Sequence, residues 1–126
     1  LQRSDIDTSH ISLFGQSYGG GASLRAAMRN DPRITAVVAF CSGLHLGQPN
    51  SLAPEAKPGE KFINGPLLVV NGTRDPGSPV ADLVSTYESA KVGDLWLLGL
   101  GEHCAVEYYP VVMPHVAQWL VEQNAR

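Results

Sequence analysis

The run Ile34-Thr35-Ala36-Val37-Val38-Ala39-Phe40 constrains this chain most, because it is apolar at every position but Thr35. A strand with one solvated face alternates apolar and polar residues. A strand that does not alternate is covered on both faces, the usual state of a parallel sheet flanked by helices. Three further short apolar runs read as strands: Ile11 to Phe14, Leu67 to Val70 and Leu95 to Leu98. Between and after them lie helix-like segments. Gly19 to Arg29 is rich in Ala and Leu and is stopped by Asn30-Asp31-Pro32. Val80 to Ala90 places Val80, Leu83, Val84 and Tyr87 at helical spacing. The last helix runs from about Val111 to Asn124, with Val112, Val116, Trp119 and Leu120 as its buried stripe. Pro114 is tolerable only in its first turn. Strands alternating with helices predict an α/β fold of about four parallel strands with flanking helices. Tyr108, Tyr109 and Trp119 read as packing around the final helix. No internal repeat or low-complexity tract interrupts the pattern. The 126 residues suffice for one compact domain.

Several function classes are disfavoured by the totals. A net charge of -3 supplies neither a basic patch for nucleic acid nor a polybasic segment for a membrane surface. No apolar run is long enough to span a bilayer, and the first ten residues lack the apolar stretch of a signal peptide. Cys41 and Cys104 have neither the density nor the spacing of a disulfide-stapled scaffold or a zinc site. Both are expected as reduced, packed thiols, which points to the cytoplasm. No metal or cofactor is expected.

Gly15-Gln16-Ser17-Tyr18-Gly19 is a G-x-S-x-G pentapeptide. Its mechanical purpose is a sharp strand-to-helix turn that lifts a serine hydroxyl above the sheet, with small residues at the flanks because side chains there crowd the turn. The pattern alone is weak evidence, but here it follows the apolar Ile11-Ser12-Leu13-Phe14 directly and opens a helix. A serine hydroxyl needs a neighbouring base, itself oriented by a carboxylate. In strand-turn-helix hydrolases the partners follow in the order serine, acid, histidine. Asp75 lies beyond Leu67 to Val70, in Gly72-Thr73-Arg74-Asp75-Pro76, and His103 lies beyond Leu95 to Leu98, in Gly101-Glu102-His103-Cys104. Both therefore fall past the carboxyl ends of parallel strands, where sites on open α/β sheets gather. Asp82 and Glu102 are the substitutes for the acid. His10, His45 and His115 are the rivals of the base, and only His103 follows the fourth strand.

At these residues the sequence resembles the α/β-hydrolase superfamily. The matching elements are GQSYGG, LLVVNGTRDPGSP and LWLLGLGEHCA, and the resemblance extends from Asp7 to the last helix. It implies Ser17 as nucleophile, Asp75 as acid, His103 as base and the backbone N–H of Tyr18 as an oxyanion-hole donor. The Ser-Tyr-Gly-Gly tail is similar to the prolyl oligopeptidase and acyl-peptidase branch. The His103-Cys104 pair is similar to the fermentation–respiration switch esterases and fungal polyketide-shortening hydrolases, the favoured branch, and dienelactone hydrolases are a looser match. The resemblance implies an ester hydrolase acting on a small-molecule acyl substrate without a cofactor. The alternatives are a serine peptidase and a non-catalytic module of the same fold.

The four strands correspond, by resemblance, to the last four of the family's sheet. The early strands and the loop giving the second oxyanion donor have no counterpart. The chain is therefore expected to be the C-terminal half of an α/β-hydrolase fold, completed by a missing N-terminal half or a second chain. Alone it would expose the edge of its first strand and much apolar surface. Residues 42–65 form a long Gly- and Pro-punctuated stretch, read as a short lid or pocket loop. Gln16, Leu44 and His45 are the expected substrate-pocket residues. Cys104, beside the base, is weighed as a redox handle against simple packing.

Overall fold

The computed structural model describes residues 3–125. Its elements are β1 (Ile11–Gln16), α1 (Tyr18–Met28), β2 (Ile34–Phe40), β3 (Leu67–Gly72), α2 (Val80–Glu88), β4 (Gly93–Leu98) and α3 (Tyr109–Asn124). The strands form one parallel sheet in the order β1-β2-β3-β4. Each connection is thus a crossover between neighbours. The expected α/β class and four-strand parallel sheet are what the chain forms.

Strand ends differ from the sequence reading for a common reason: pairing extends past the apolar run. Gly15 and Gln16 remain in β1 because they pair with Ala39 and Phe40. Asn71 and Gly72 remain in β3 opposite Leu97 and Leu98, while Gly93 begins β4 opposite Leu67. The last helix starts earlier than expected, at Tyr109, with Pro110 in its opening turn. Pro114 then sits beyond the first turn, inside the helix. The earlier start corrects the expected placement of Pro114. Its missing N–H removes a bond that the carbonyl of Pro110 would otherwise accept.

Alternation along the central strands divides the core in two. Val37, Ala39, Leu67 and Val69 face α1 and α2, meeting Leu24, Ala27 and Leu83. Val38, Phe40, Leu68 and Val70 face α3, meeting Val112, Val116 and Trp119. A fully buried Val or Leu contributes roughly 1.5–3 kcal/mol, so the β2–β3 pair anchors the sheet and fixes its carboxyl edge. β1 lies at one edge, and its Phe14 is 43% exposed. Residues 42–65 contain no helix or strand beyond a parallel bridge from Ile63 to Ala90. Leu44, Leu46 and Ile63 nevertheless bury into the α1/α2 face, so this stretch is packed covering. No helix among the described residues is long and apolar enough to cross a membrane.

Candidate active site

The turn at the end of β1 begins with space. A Cβ on Gly15 would lie 2.0 Å from the carbonyl oxygen of Gly19, so no side chain fits there. A Cβ on Gly19 would meet nothing within 4 Å. The expected crowding therefore holds at the first flank only. Ser17 takes φ 52° and ψ -115°, a conformation that L residues rarely adopt. It is held there from both sides: its N–H donates to the Phe40 carbonyl at 2.9 Å, and its carbonyl receives the Gly21 N–H at 3.0 Å and the Ser42 hydroxyl. Ser17 occupies the N-cap of α1, yet its hydroxyl makes no capping bond. That hydroxyl lies 3.1 Å from Nε2 of His103.

Asp75 follows β3 in a turn whose position depends on Gly72. A Cβ at residue 72 would sit 2.1 Å from the Gly101 carbonyl oxygen, so the absence of a side chain lets the Asp75 turn and the His103 loop cross. Thr73 N–H to Leu98 O at 3.1 Å and Arg74 N–H to Gly101 O at 2.8 Å tie the two together. The Asp75 carboxylate is buried. It accepts from Asn71 Nδ2 and His103 Nδ1 on Oδ2, at 2.9 and 2.6 Å, and from the Gly77 N–H on Oδ1 at 2.9 Å. Burial alone would push this carboxyl up, but the bonds from Asn71, His103 and Gly77 outweigh it and hold Asp75 below the ordinary carboxylate range.

His103 opens an irregular segment after β4. Cys104 (φ 60°) and Ala105 (φ 43°) are both left-handed, so the chain reverses immediately behind the imidazole. Cys104 is bonded to Cys41, at the end of β2, with a Cα–Cα distance of 4.7 Å. The expectation of two reduced thiols is corrected by this disulfide, and the cytoplasmic expectation built on it loses its basis. Parallel strand ends bring together cysteines that are 63 residues apart in sequence. Cys41 Sγ also lies 3.2 Å from the Ser17 N–H. Cys41, His103 and Cys104 are the one group of candidate metal donors among the described residues, within 4.8 Å of one another. With the sulfurs joined, no thiolate is offered.

None of the rival residues takes part in the contacts among Ser17, Asp75 and His103. His10 bonds Asp7 at 2.8 Å at the surface, His115 is exposed on α3, and Glu102 is exposed. Asp82 partners His45, whose N–H donates to Oδ1 at 2.8 Å and whose Nδ1 stands 3.0 Å from Oδ2. Burial pushes the Asp82 carboxyl up, against the opposing pull of His45.

A cavity of about 580 Å³ opens over Ser17 and His103, with Tyr18, His45 and Leu52 in its wall. Tyr18 begins α1, so its backbone N–H is among the donors that the helix leaves unpaired. Of the three expected pocket residues, only His45 lines this cavity. Leu44 is fully buried in the core, with its N–H on Thr86 Oγ1, and Gln16 bonds the Tyr109 hydroxyl. Both are corrections. Leu44 and His45 are neighbours, and the left-handed backbone at His45 turns one inward and the other to the cavity. Asn71 was missed, although a polar residue ending the run Leu67-Leu68-Val69-Val70 is a signal. Arg25 and Arg29 also line the cavity, and nothing in the sequence distinguishes them from solvated helix residues.

In sequence, the chain matches no family model and no curated protein. In structure it is similar to Est1E from Butyrivibrio proteoclasticus, with a TM-score of 0.66 at 20% identity, covering 90% of this chain and 61% of that one. For 2,6-dihydroxy-pseudo-oxynicotine hydrolase the TM-score is 0.75 at 18% identity, covering 98% and 42%. For a truncated carbohydrate esterase from gut microbiota it is 0.74 at 15% identity, covering 97% and 62%. The chain has the α/β-hydrolase fold. It spans 42% to 62% of the length of these three proteins. In an α/β-hydrolase fold, the carboxyl edge of the sheet is where loops after successive strands converge, and there β1, β3 and β4 deliver Ser17, Asp75 and His103.

Proposed function

We propose that this chain carries the catalytic centre of a serine hydrolase that cleaves an ester through an acyl-enzyme on Ser17. One observation carries the reading: an unbroken relay from Ser17 Oγ to His103 Nε2 at 3.1 Å and from His103 Nδ1 to the buried Asp75 at 2.6 Å. Nucleophile, base and orienting carboxylate are the parts that acyl transfer to water requires.

In this reading, His103 Nε2 removes the hydroxyl proton as Ser17 Oγ attacks the ester carbonyl. Asp75 accepts the Nδ1–H, which fixes the tautomer and stabilises the imidazolium. The imidazolium returns the proton to the departing alkoxide, and water then repeats the sequence on the acyl-enzyme. The Tyr18 N–H at the start of α1 faces the developing oxyanion, a contribution commonly worth about 3 kcal/mol per donor. The Ser17 hydroxyl makes no capping bond to α1 that attack would have to break.

Fluorophosphonate treatment of the native protein, followed by peptide mass spectrometry, tests the proposal. The adduct is expected on Ser17, and labelling is expected to slow greatly in His103→Ala. Folded native protein that remains unlabelled would overturn it.

A further inference from the structure

Two histidines share the cavity over Ser17, His103 backed by the buried Asp75 and His45 by the partly buried Asp82. His103 belongs to the relay. His45 has no part in it, yet it is held as firmly: Asp82, with a side chain only 9% exposed, takes the His45 N–H on Oδ1 at 2.8 Å and sets Oδ2 3.0 Å from Nδ1. Asp82 Oδ2 has no other hydrogen-bond partner, so Nδ1 of His45 is engaged with Asp82. That leaves Nε2 of His45 as the ring nitrogen available to a ligand.

The rest of the wall carries two arginines. Arg25 on α1 and Arg29 at its C-cap stand one turn apart, with the small residues Gly21 and Ala22 between Arg25 and Ser17, so the helix surface stays open. Neither arginine has an ion-pair partner among the described residues. No Asp or Glu side chain lines the cavity, in a chain whose net charge is -3. Two arginines facing one cavity that holds no acidic side chain favour anionic ligands. Arg25 lies seven residues along α1 from Tyr18, about 10 Å by helical rise, and its side chain spans part of that distance.

We propose that the cavity takes esters whose acyl chain ends in a carboxylate, half-esters of short dicarboxylic acids, with His45 and Arg25 holding the carboxylate while Ser17 attacks the ester. The inference rests on the serine-hydrolase reading and adds the substrate class to it. The Arg25 guanidinium forms charge-assisted bonds to a carboxylate and an N–H at His45 Nε2 adds a further donor, and a neutral acyl chain of the same length forgoes both.

The test compares mono(4-nitrophenyl) glutarate with 4-nitrophenyl pentanoate on the native protein. The half-ester is expected to have the higher kcat/KM by about ten-fold, expressed mainly in KM. Arg25→Met and His45→Gln are each expected to bring the two esters close to parity. Arg25 is exposed, so its variant leaves the core intact. Free glutarate is expected to compete with pentanoate ester hydrolysis in the native protein and to lose that ability in Arg25→Met. Equal rates on the two esters, or a preference surviving both substitutions, with Ser17 still labelled by fluorophosphonate, would overturn the substrate class alone. Cleavage of neither ester together with an unlabelled Ser17 would overturn the underlying reading as well.

Discussion

Asn71 Nδ2 donates to Asp75 Oδ2 at 2.9 Å, the same oxygen that His103 Nδ1 reaches at 2.6 Å, and Asn71 Oδ1 accepts the Gly72 N–H at 2.8 Å. One buried amide thus fixes the carboxylate that holds the His103 imidazole. Asn71→Leu preserves the volume but removes a donor from Asp75 and strands the Gly72 N–H. It is expected to cost about 1.5–3 kcal/mol in chemical denaturation near neutral pH. The pH dependence follows from sign. Because the hydrogen bonds hold Asp75 below its unfolded value, their stabilisation is complete above about pH 4 and fades as pH falls through the folded value. With one bond lost, the folded value rises and the remaining stabilisation fades at higher pH. A denaturation midpoint that matches the parent at neutral and acid pH would remove Asn71 from this role.

Glu102 adjoins His103 in the chain and Asp75 lies 28 residues before it, but only Asp75 touches the imidazole. Asp75→Asn replaces the acceptor of the Nδ1–H with an amide and permits the wrong tautomer. It is expected to lower kcat on a 4-nitrophenyl ester by about 10⁴. Glu102→Gln, on an exposed side chain, should stay within about two-fold of the parent. Steady-state kinetics on the two variants checks the assignment, and comparable losses would refute it.

The central strands and the three residues of the relay were legible because each is fixed by local pattern. The unbroken run Ile34 to Phe40 gives β2 at its observed bounds, and Ser17, Asp75 and His103 each follow a recognisable apolar run. What remained hidden depends on neighbours distant in the chain. Cys41 and Cys104 meet because β2 and the loop after β4 end at the same sheet edge, which no spacing rule contains. Leu44 and His45 are adjacent, and which of them enters the cavity depends on a φ of 53° at His45 that the sequence does not disclose. Arg25 and Arg29 read as an exposed helix face, as they are. That this face also forms a cavity wall depends on where residues 42–65 pack. Pro114 was misplaced because the helix start was set by apolar periodicity, whereas Pro110 in the opening turn sets it.

The Cys41–Cys104 disulfide closes a loop with a sequence separation of 63 that contains β3 and β4, half of the sheet's strands. Chain-entropy reasoning gives a stabilisation of about 4 kcal/mol for a loop of that size. Removing the bridge in a Cys41→Ala, Cys104→Ala variant is expected to cost about 2–4 kcal/mol and to loosen the segment that carries His103. Urea denaturation of the parent with and without reductant, beside the double variant, checks this. Mass spectrometry of the alkylated parent must first show both thiols blocked. Identical midpoints in all three samples would show that the bridge adds nothing to stability.

Gly15 and Gly19 flank the same serine and make opposite demands. A methyl group at residue 15 would stand 2.0 Å from the Gly19 carbonyl oxygen and 2.5 Å from Ser23 Oγ, and the backbone atom in that pair belongs to a helix that cannot retreat without losing the turn. At residue 19 the space is open, and alanine has the higher helix propensity. Gly15→Ala is therefore expected to destabilise the fold by more than about 3 kcal/mol, in the range reserved for overpacking and backbone strain. Gly19→Ala should remain within about 1 kcal/mol of the parent or gain slightly. Paired thermal or urea denaturation of the two variants reads the difference directly. If the order were reversed, the geometry assigned to the strand-to-helix turn would be wrong, and the orientation of Ser17 towards His103 would lose its structural cause.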